Sequence, residues 1–462
     1  MSRLSRTAVS TLALISFLML LSLISPPIQA QPIVDGVIPD AMPLLERPDA
    51  DTTVFLVFGT ATDNPSNPGL SDMLMLVSVN TRTASASLLA IPRDLYVNIP
   101  GFGMRKINTA YYFGETEKVE GGGVGLLKET IRYNLGIEVD YYARVNFSGF
   151  LTIIDTLGGI DLAVDCTIRD WKLKSRELNK LVEENYEIFV LPTGIHHVDA
   201  DTALWYVRSR KTSSDLDRGR RQQDVLRAMW RAIRQQDWLT RLPTIWDQAT
   251  QSVETDLPFE VALSFAPLAA QIEAERLVSY RMQNGTHIKS ALSPSPEQAS
   301  ILVPEREALT ELLRDFLTPP TANQIARSGL KVQIVNASGV DGLEFVAMDR
   351  LVQEGFLPTV IQENTHFRNY TSIYDYSGAS KGSPLPDFKR VLRVTDEGIT
   401  VDPDANRETD YKIYLGHQYL YWACTRNVIQ PRLMIDDEGN VVVDDRPEEV
   451  IQATQAAEAT TP

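Results

Sequence analysis

Two hydrophobic periods alternate along this chain, and together they confine it to a layered α/β fold. Short apolar runs at Val54–Phe58, Met73–Val79 and Ser85–Ile91 are spaced as strands. Further β-like runs follow at Tyr142–Phe147, Leu151–Ile154 and Ile160–Val164, the second of which could instead begin a helix. Helical periods interrupt them. Val124–Leu135 is amphipathic and closes at Gly136. In Arg218–Gln235, the residues Leu226, Met229, Trp230 and Ile233 fall at i, i+3, i+4 and i+7 and form one apolar stripe. Its other faces carry Arg220, Arg221, Arg227, Arg231 and Arg234, and either Asp215 or Asp217 suits its N-cap. Strands interleaved with helices pack as sheet and helix layers.

At 462 residues the chain holds two or three domains by length. The alternation runs to about Leu317. A break at Pro319-Pro320 precedes a second pattern: a strand over Leu330–Val335, a turn over Asn336–Gly342, a helix over Leu343–Glu354 and a strand over Tyr411–Leu415. The expected organisation is an N-terminal signal or anchor (1–30), a Pro- and Asp-rich linker (31–50), a large domain (51–318), a linker (319–328), a smaller α/β domain (329–425) and an acidic, mostly disordered tail (426–462).

Arg3 and Arg6 precede an apolar run over residues 8–24, and Pro26, Pro27 and Ala30 follow. A basic start, an apolar stretch and a small-residue end make an export signal. The run sits near the ~17-residue lower limit for spanning a bilayer. Cleaved signal peptide and retained anchor are both open, and in either case the rest of the chain faces outward. The net charge of -16 argues against bulk nucleic-acid binding. The two cysteines, Cys166 and Cys424, give no metal spacing; they either pair or sit as small buried residues, and burial is the reading adopted.

Four stretches could carry chemistry. Asp72 in Ser71-Asp72-Met73 stands where a strand begins, and a carboxylate there either holds a hard cation or shapes a turn. Arg93 in Ile91-Pro92-Arg93-Asp94 follows a strand end and a proline; its guanidinium suits phosphate oxygens or forms a surface ion pair with Asp94. Arg208 and Arg210 point to one side if Ala203–Val207 is extended, in which case they form either a pyrophosphate clamp or a solvated basic loop. Arg218 and Gln222 share a face at a helix start, where free N–H groups and the helix dipole favour anions. There is no Gly-x-Ser-x-Gly elbow and no phosphate-binding P-loop. His196-His197 reads as a turn, and Gly121-Gly122-Gly123 as a flexible turn before a helix.

In this order the stretches resemble the LytR-CpsA-Psr (LCP) domain. The resemblance covers about Thr53 to Leu317. It rests on Ser71-Asp72, Ser87–Asp94, Lys106–Tyr111, Val145–Phe150, Asp155–Gly159, Ala203–Arg210 and Arg221-Gln222-Gln223. The second domain resembles the LytR C-terminal domain through Val335-Asn336-Ala337-Ser338-Gly339, Leu351, Gly355-Phe356 and Leu415-Gly416, while Asn364–Arg407 is longer and less regular than that pattern.

The resemblance implies a three-layer α/β/α domain around a mixed sheet, an apolar pocket for a polyprenyl tail, and arginines at its mouth. It implies an exported transferase that moves a glycopolymer phosphate from a polyprenyl-pyrophosphate carrier to a cell-wall acceptor. Arg93, Arg208, Arg210, Arg218 and Gln222 match its pyrophosphate positions, with Arg93 and Asp72 in the catalytic group. Asp72 matches one of two acidic positions for Mg2+. Ala61 occupies the other, in Gly59-Thr60-Ala61-Thr62-Asp63, and Leu70 replaces the usual arginine, so one metal carboxylate and a nearby cation are missing. A binding module that retains lipid-linked glycan or wall polymer without turnover is the alternative, and a pyrophosphate hydrolase is a third reading.

Overall fold

A computed structural model of the chain describes residues 36–60, 62, 67–209, 215–235, 253–272, 276–294, 298–319, 327, 329–378, 383–422, 433–435 and 441–443. The export signal, Ala61, Asp63, Arg210 and most of the acidic tail lie outside these residues. Among the described residues no helix is long and apolar enough to cross a membrane.

The large domain is built on a six-stranded mixed sheet. Its first three strands are β1 (Thr52–Thr60), β2 (Ser71–Asn80) and β3 (Ser85–Ala90), consecutive and antiparallel. β6 (Tyr141–Val145) adds parallel to β1, and β12 (Leu277–Arg281) adds parallel to β3. β11 (Val253–Thr255) closes the β6 edge. A short hairpin of β4 (Tyr96–Ile99) and β5 (Gly103–Lys106) follows β3.

The period-two pattern of β1 divides its side chains between two helix layers. Val54, Leu56 and Phe58 are completely buried on one face. They meet Leu126, Leu127 and Ile131 of helix α2 (Gly122–Leu135), which follows the short helix α1 (Ala110–Thr116). Burial of each such side chain contributes roughly 1.5–3 kcal/mol. On the other face Met75, Ala86 and Leu88 pack against Leu226 and Trp230, and against Leu268 and Ile272. Three layers result, as expected for this fold class.

A second apolar cluster lies beside the sheet. It joins helix α3 (Phe147–Leu157), strand β7 (Ile160–Val164), the hairpin of β8 (Ile168–Leu173) and β9 (Tyr186–Leu191), and strand β10 (Gly194–Val198). Helix α4 (Ala200–Arg208) and the inner face of the long helix α5 (Asp215–Gln235) complete it. Leu151–Ile154 is therefore helical. So is Ala203–Val207: Asp199 caps α4 by accepting from the Thr202 N–H at 2.8 Å. The extended reading of that stretch is overturned.

After α6 (Phe259–Gln271), β12, a hairpin of β13 (Ile288–Leu292) and β14 (Ser300–Pro304), and α7 (Arg306–Leu317), the chain enters a five-stranded sheet. Its central strands, β15 (Val332–Asn336) and β19 (Tyr411–Leu415), are parallel neighbours. Helix α8 (Leu343–Val352) packs on it through Leu343, Ala347 and Leu351, and leads to the edge strand β16 (Thr359–Ile361), parallel to β15. The irregular stretch between them supplies β17 (Ser372–Asp375), helix α9 (Leu385–Leu392) and β18 (Ile399–Val401). In the tail, Leu433–Ile435 pairs with Val441–Val443. Cys166 is disulfide-bonded, which overturns the reading of a free buried cysteine; Cys424 lies outside the described residues.

Candidate functional site

Three chain segments converge where β3 ends. Ile91-Pro92-Arg93 leaves the sheet there, Asp72 opens the neighbouring strand β2, and the first turns of α5 cross above. Gly219 marks the closest approach: a Cβ at that position would touch the Ala90 Cβ at 3.4 Å, an ordinary contact. Between them is a shallow cleft, open to solvent, whose walls carry Asp72, Arg93, Arg218, Arg220, Gln222 and Arg281.

Arg93 is the residue that orders the near wall. Its Nη1 donates to Asp72 Oδ1 at 2.8 Å, while its Nε stands 3.7 Å from Asp94. Asp94 is held more closely by Lys106, whose Nζ is 2.8 Å from Oδ1. Arg93 is thus pinned on the cleft side by Asp72, and the surface pair with Asp94 is the weaker contact. The Lys106-Ile107-Asn108 motif also buttresses the strand entry, because the Ser71 hydroxyl donates to the Asn108 carbonyl at 3.1 Å.

The far wall is the start of α5. Arg218 and Gln222 line it from one helix face, and both are buried. Backbone N–H groups at the first turn of a helix lack intrahelical acceptors, and the helix dipole adds partial positive charge there. A planar guanidinium such as that of Arg218 presents a fork of donors to phosphate oxygens. The site has the chemistry of a polyanion receptor.

Four of the six site residues read from the sequence meet here: Asp72, Arg93, Arg218 and Gln222. Arg208 does not. It ends α4, exposed, with its guanidinium 4.5 Å from the centre of the Phe147 ring. Since α4 is a helix, the two-residue alternation that aimed Arg208 and Arg210 together does not apply. Arg210 lies outside the described residues.

The structure adds two arginines. Arg220 is buried and bonds Asp165 at 2.8 Å and Asp224 at 3.2 Å. Burial alone would raise the Asp165 carboxyl, but Arg220 and Arg350 outweigh it and hold it below the usual carboxylate range. Burial raises Asp224 against the pull of Arg220. Arg281 ends β12, in register with Ala90. Burial, reinforced by repulsion from Arg220, pushes its guanidinium down to about 10. No sequence motif marks Arg281, which reaches the cleft only because β12 pairs with β3.

The other arginines of α5 are structural. Arg221 and Arg227 are almost completely buried. Arg221 donates to the Tyr206 and Ser209 carbonyls, and Arg227 to the Leu277 carbonyl at 2.5 Å. The helix face that carries Arg221 and Arg227 is interior.

The cleft has one carboxylate, Asp72, and Arg93 already engages one of its oxygens. Among the described residues no three His, Cys, Asp or Glu side chains gather in a metal-binding group. Magnesium prefers octahedral oxygen coordination, usually from one or two carboxylates plus substrate phosphates. The described donors do not make a protein-held magnesium site.

Comparison with known proteins gives consistent relationships. The chain is 31% identical over 204 residues to the polyisoprenyl-teichoic acid–peptidoglycan teichoic acid transferase TagT of Bacillus subtilis, covering 44% of this chain and 58% of that protein. It is 32% identical over 214 residues to the TagU transferase of Oceanobacillus iheyensis, covering 46% and 61%. The match therefore spans less than two thirds of these relatives. Among solved structures, B. subtilis TagV aligns with a TM-score of 0.48 at 22% identity, covering 59% of this chain and 100% of that one. TagT bound to LI-WTA aligns with a TM-score of 0.43 at 26% identity, covering 60% and 94%. Residues 40–309, more than half the chain, match the LytR_cpsA_psr family, and the chain belongs to that family.

Proposed function

We propose that this protein is an extracytoplasmic transferase that moves a glycopolymer phosphate from a polyprenyl-pyrophosphate carrier to a cell-wall acceptor. The observation that carries the reading is the convergence of Arg93, Arg218 and Gln222, from two distant segments, on one cleft beside Asp72. The names of the TagT and TagU relatives supply the substrate class.

In the proposed reaction an acceptor hydroxyl oxygen attacks the phosphorus that bears the glycan. The bond from that phosphorus to the bridging oxygen breaks, and polyprenyl phosphate leaves. The acceptor proton passes to an oxygen of the leaving phosphate, since the cleft's carboxylate is paired with Arg93. Arg93 and Arg218 offset the charge that spreads over the transferred group, and Gln222 donates to it as a neutral hydrogen-bonding partner. Asp72 orients Arg93.

Export is part of the proposal. It rests on Arg3, Arg6 and the apolar run over residues 8–24. The disulfide at Cys166 fits an oxidising compartment. Cell fractionation tests it: the protein is expected in the envelope or secreted fraction, and a mainly cytoplasmic pool would rule export out.

One observation favours a second reading, a non-catalytic module that binds lipid-linked glycan or wall polymer. With Ala61 at a family acidic position and Asp72 tied to Arg93, the described cleft lacks a second carboxylate. Incubation with a lipid-pyrophosphate-linked glycan and wall material separates the readings. Wall-bound glycan phosphate supports transfer. Released glycan phosphate marks hydrolysis, and donor binding without either product marks the binding module.

A further inference from the structure

The cleft does not end within the large domain. Its floor joins a buried polar network that crosses to the second α/β unit. Asp165 receives Arg220 from α5 on one side and Arg350 from α8 on the other, the latter at 2.5 Å. Gln353, just past the end of α8, donates through Nε2 to Asp224 at 3.1 Å and to Asp349 at 2.9 Å. Its Oε1 accepts from Arg281 Nη2 at 2.9 Å. Arg231 completes the junction with Asp349 at 3.0 Å. Cys166, which is disulfide-bonded, adjoins Asp165.

The two arginines on this floor differ in one decisive respect. Arg220 is neutralised by two carboxylates. Arg281 faces the same cleft, but among the described residues its hydrogen-bond partner is an amide oxygen and no carboxylate pairs with it. Its charge is therefore held in place by an amide and not by a direct ion pair. A half-buried guanidinium with no carboxylate in direct contact is stabilised by an anion that enters beside it. Arg220 and Arg350 repel it, Asp224 and Glu354 attract it from beyond contact, and a polyanion in the cleft would add the direct contact that these carboxylates do not make. The amide of Gln353 fixes the side chain, and its own N–H groups are occupied by Asp224 and Asp349, so its oxygen is the end left to face Arg281.

We propose that Arg281 is a further phosphate-binding residue of the cleft and that Gln353, from the second α/β unit, is the positioning residue that aims it. This rests on the reading of the cleft as a pyrophosphate site. Arg93 and Arg218 suffice to cover one phosphate. A second phosphate brings additional charge, and Arg281 is a half-buried cation lining the same cleft that, among the described residues, makes no direct ion pair with a carboxylate. The second unit is then part of the donor site, and the pyrophosphate selectivity of the cleft depends on its docking.

The test is calorimetry on the full chain with geranyl pyrophosphate and geranyl monophosphate as soluble probes. The wild type is expected to bind the pyrophosphate more tightly. Arg281→Gln is expected to lose about tenfold on the pyrophosphate and much less on the monophosphate, the range of a hydrogen bond to a charged group. Arg281→Lys restores part of that loss because it keeps the charge. Gln353→Ala shifts the ratio the same way, by about threefold, with Arg281 still present. If Arg281→Gln melts early, Arg281→Lys and Gln353→Ala carry the comparison. An unchanged ratio of the two affinities in folded variants overturns the proposal, and so does an equal loss on both probes, which is what a merely structural role gives. If wild type binds neither probe, or Arg218→Ala binds both unchanged, the pyrophosphate reading fails and the proposal with it; pyrophosphate binding that depends on Arg218 but not on Arg281 sinks the proposal alone.

Discussion

Arg218 and Arg220 stand two residues apart at the start of one helix, yet the structure gives them opposite tasks. Arg218 lines the open cleft beside Arg93 and Gln222. Arg220 also touches the cleft, but Asp165 and Asp224 absorb its charge. Arg221 and Arg227 are interior and hold backbone carbonyls. A run of arginines therefore says little about anion binding until each counter-charge is located. The lesson is that partner identity, more than charge density, separates a binding cation from a structural one.

That contrast breaks most visibly at Arg220. Arg220→Ala leaves Asp165 and Asp224 buried without their shared partner, and removing one member of a buried ion pair costs about 3–5 kcal/mol. Denaturant unfolding checks this, and a loss below about 1 kcal/mol would mean the network is not as enclosed as its geometry indicates.

Arg218 sharpens the contrast from the other side. Arg218→Ala is expected to weaken binding of a polyprenyl pyrophosphate about tenfold or more, with little change in the unfolding midpoint. Arg208→Ala, against the sequence-based expectation, is expected to change that affinity by less than about twofold, as for an exposed residue away from the site. Comparable losses from the two substitutions would return Arg208 to the site.

The reason for that reversal shows what was legible in the sequence. Asp72, Arg93, Arg218 and Gln222 were readable because each sits in a local motif at the end of a strand or the start of a helix. The layered α/β fold was readable from the periods of β1, β2, β3 and α5, and its three layers came with the family resemblance. The strand reading of Ala203–Val207 failed because that stretch is apolar enough to suit a strand; the signal against it was Asp199, an N-cap with a helical run behind it. Arg281 carried no local signal. Its position depends on the pairing of β12 with β3, far away in sequence, and on Gln353 from the other unit. Asp165 was equally silent, since nothing near it in sequence announces Arg220 or Arg350.

The network also makes a smaller, pH-dependent prediction. The folded-state carboxyl of Asp165 is depressed, so its contribution is fully present above the unfolded value, about 3.9, and is lost as pH falls through the folded value. Asp224 is raised, so it opposes folding above its folded value and that penalty disappears on acidification. Stability measured from pH 7 down to pH 3 is expected to fall less steeply in Asp165→Asn than in wild type. At pH 7, Asp224→Asn is expected to be less damaging than Asp165→Asn. The reverse order would contradict the assignment of Asp165 as the shared counter-ion.

The smallest expected effect concerns the missing carboxylate. Ala61→Asp is expected to raise magnesium affinity modestly, and Leu70→Arg alongside it keeps the new carboxylate ionised. Isothermal titration with magnesium, in the presence of a pyrophosphate probe, checks this. A wild-type protein that already binds magnesium as tightly as the double variant would show that other oxygens supply the site.

The claim on which the rest depends is that the cleft beside β3 performs glycopolymer transfer. Its most direct test supplies wild type and Arg218→Ala with a polyprenyl-pyrophosphate-linked glycan labelled in the sugar, together with peptidoglycan, and measures label covalently attached to the wall. The expected result is label transfer by wild type, with stoichiometric release of polyprenyl phosphate, and at least a tenfold lower rate for Arg218→Ala. Wall-bound label accumulating equally fast with both proteins, or no label transferred by a wild type that binds the donor tightly, would contradict it.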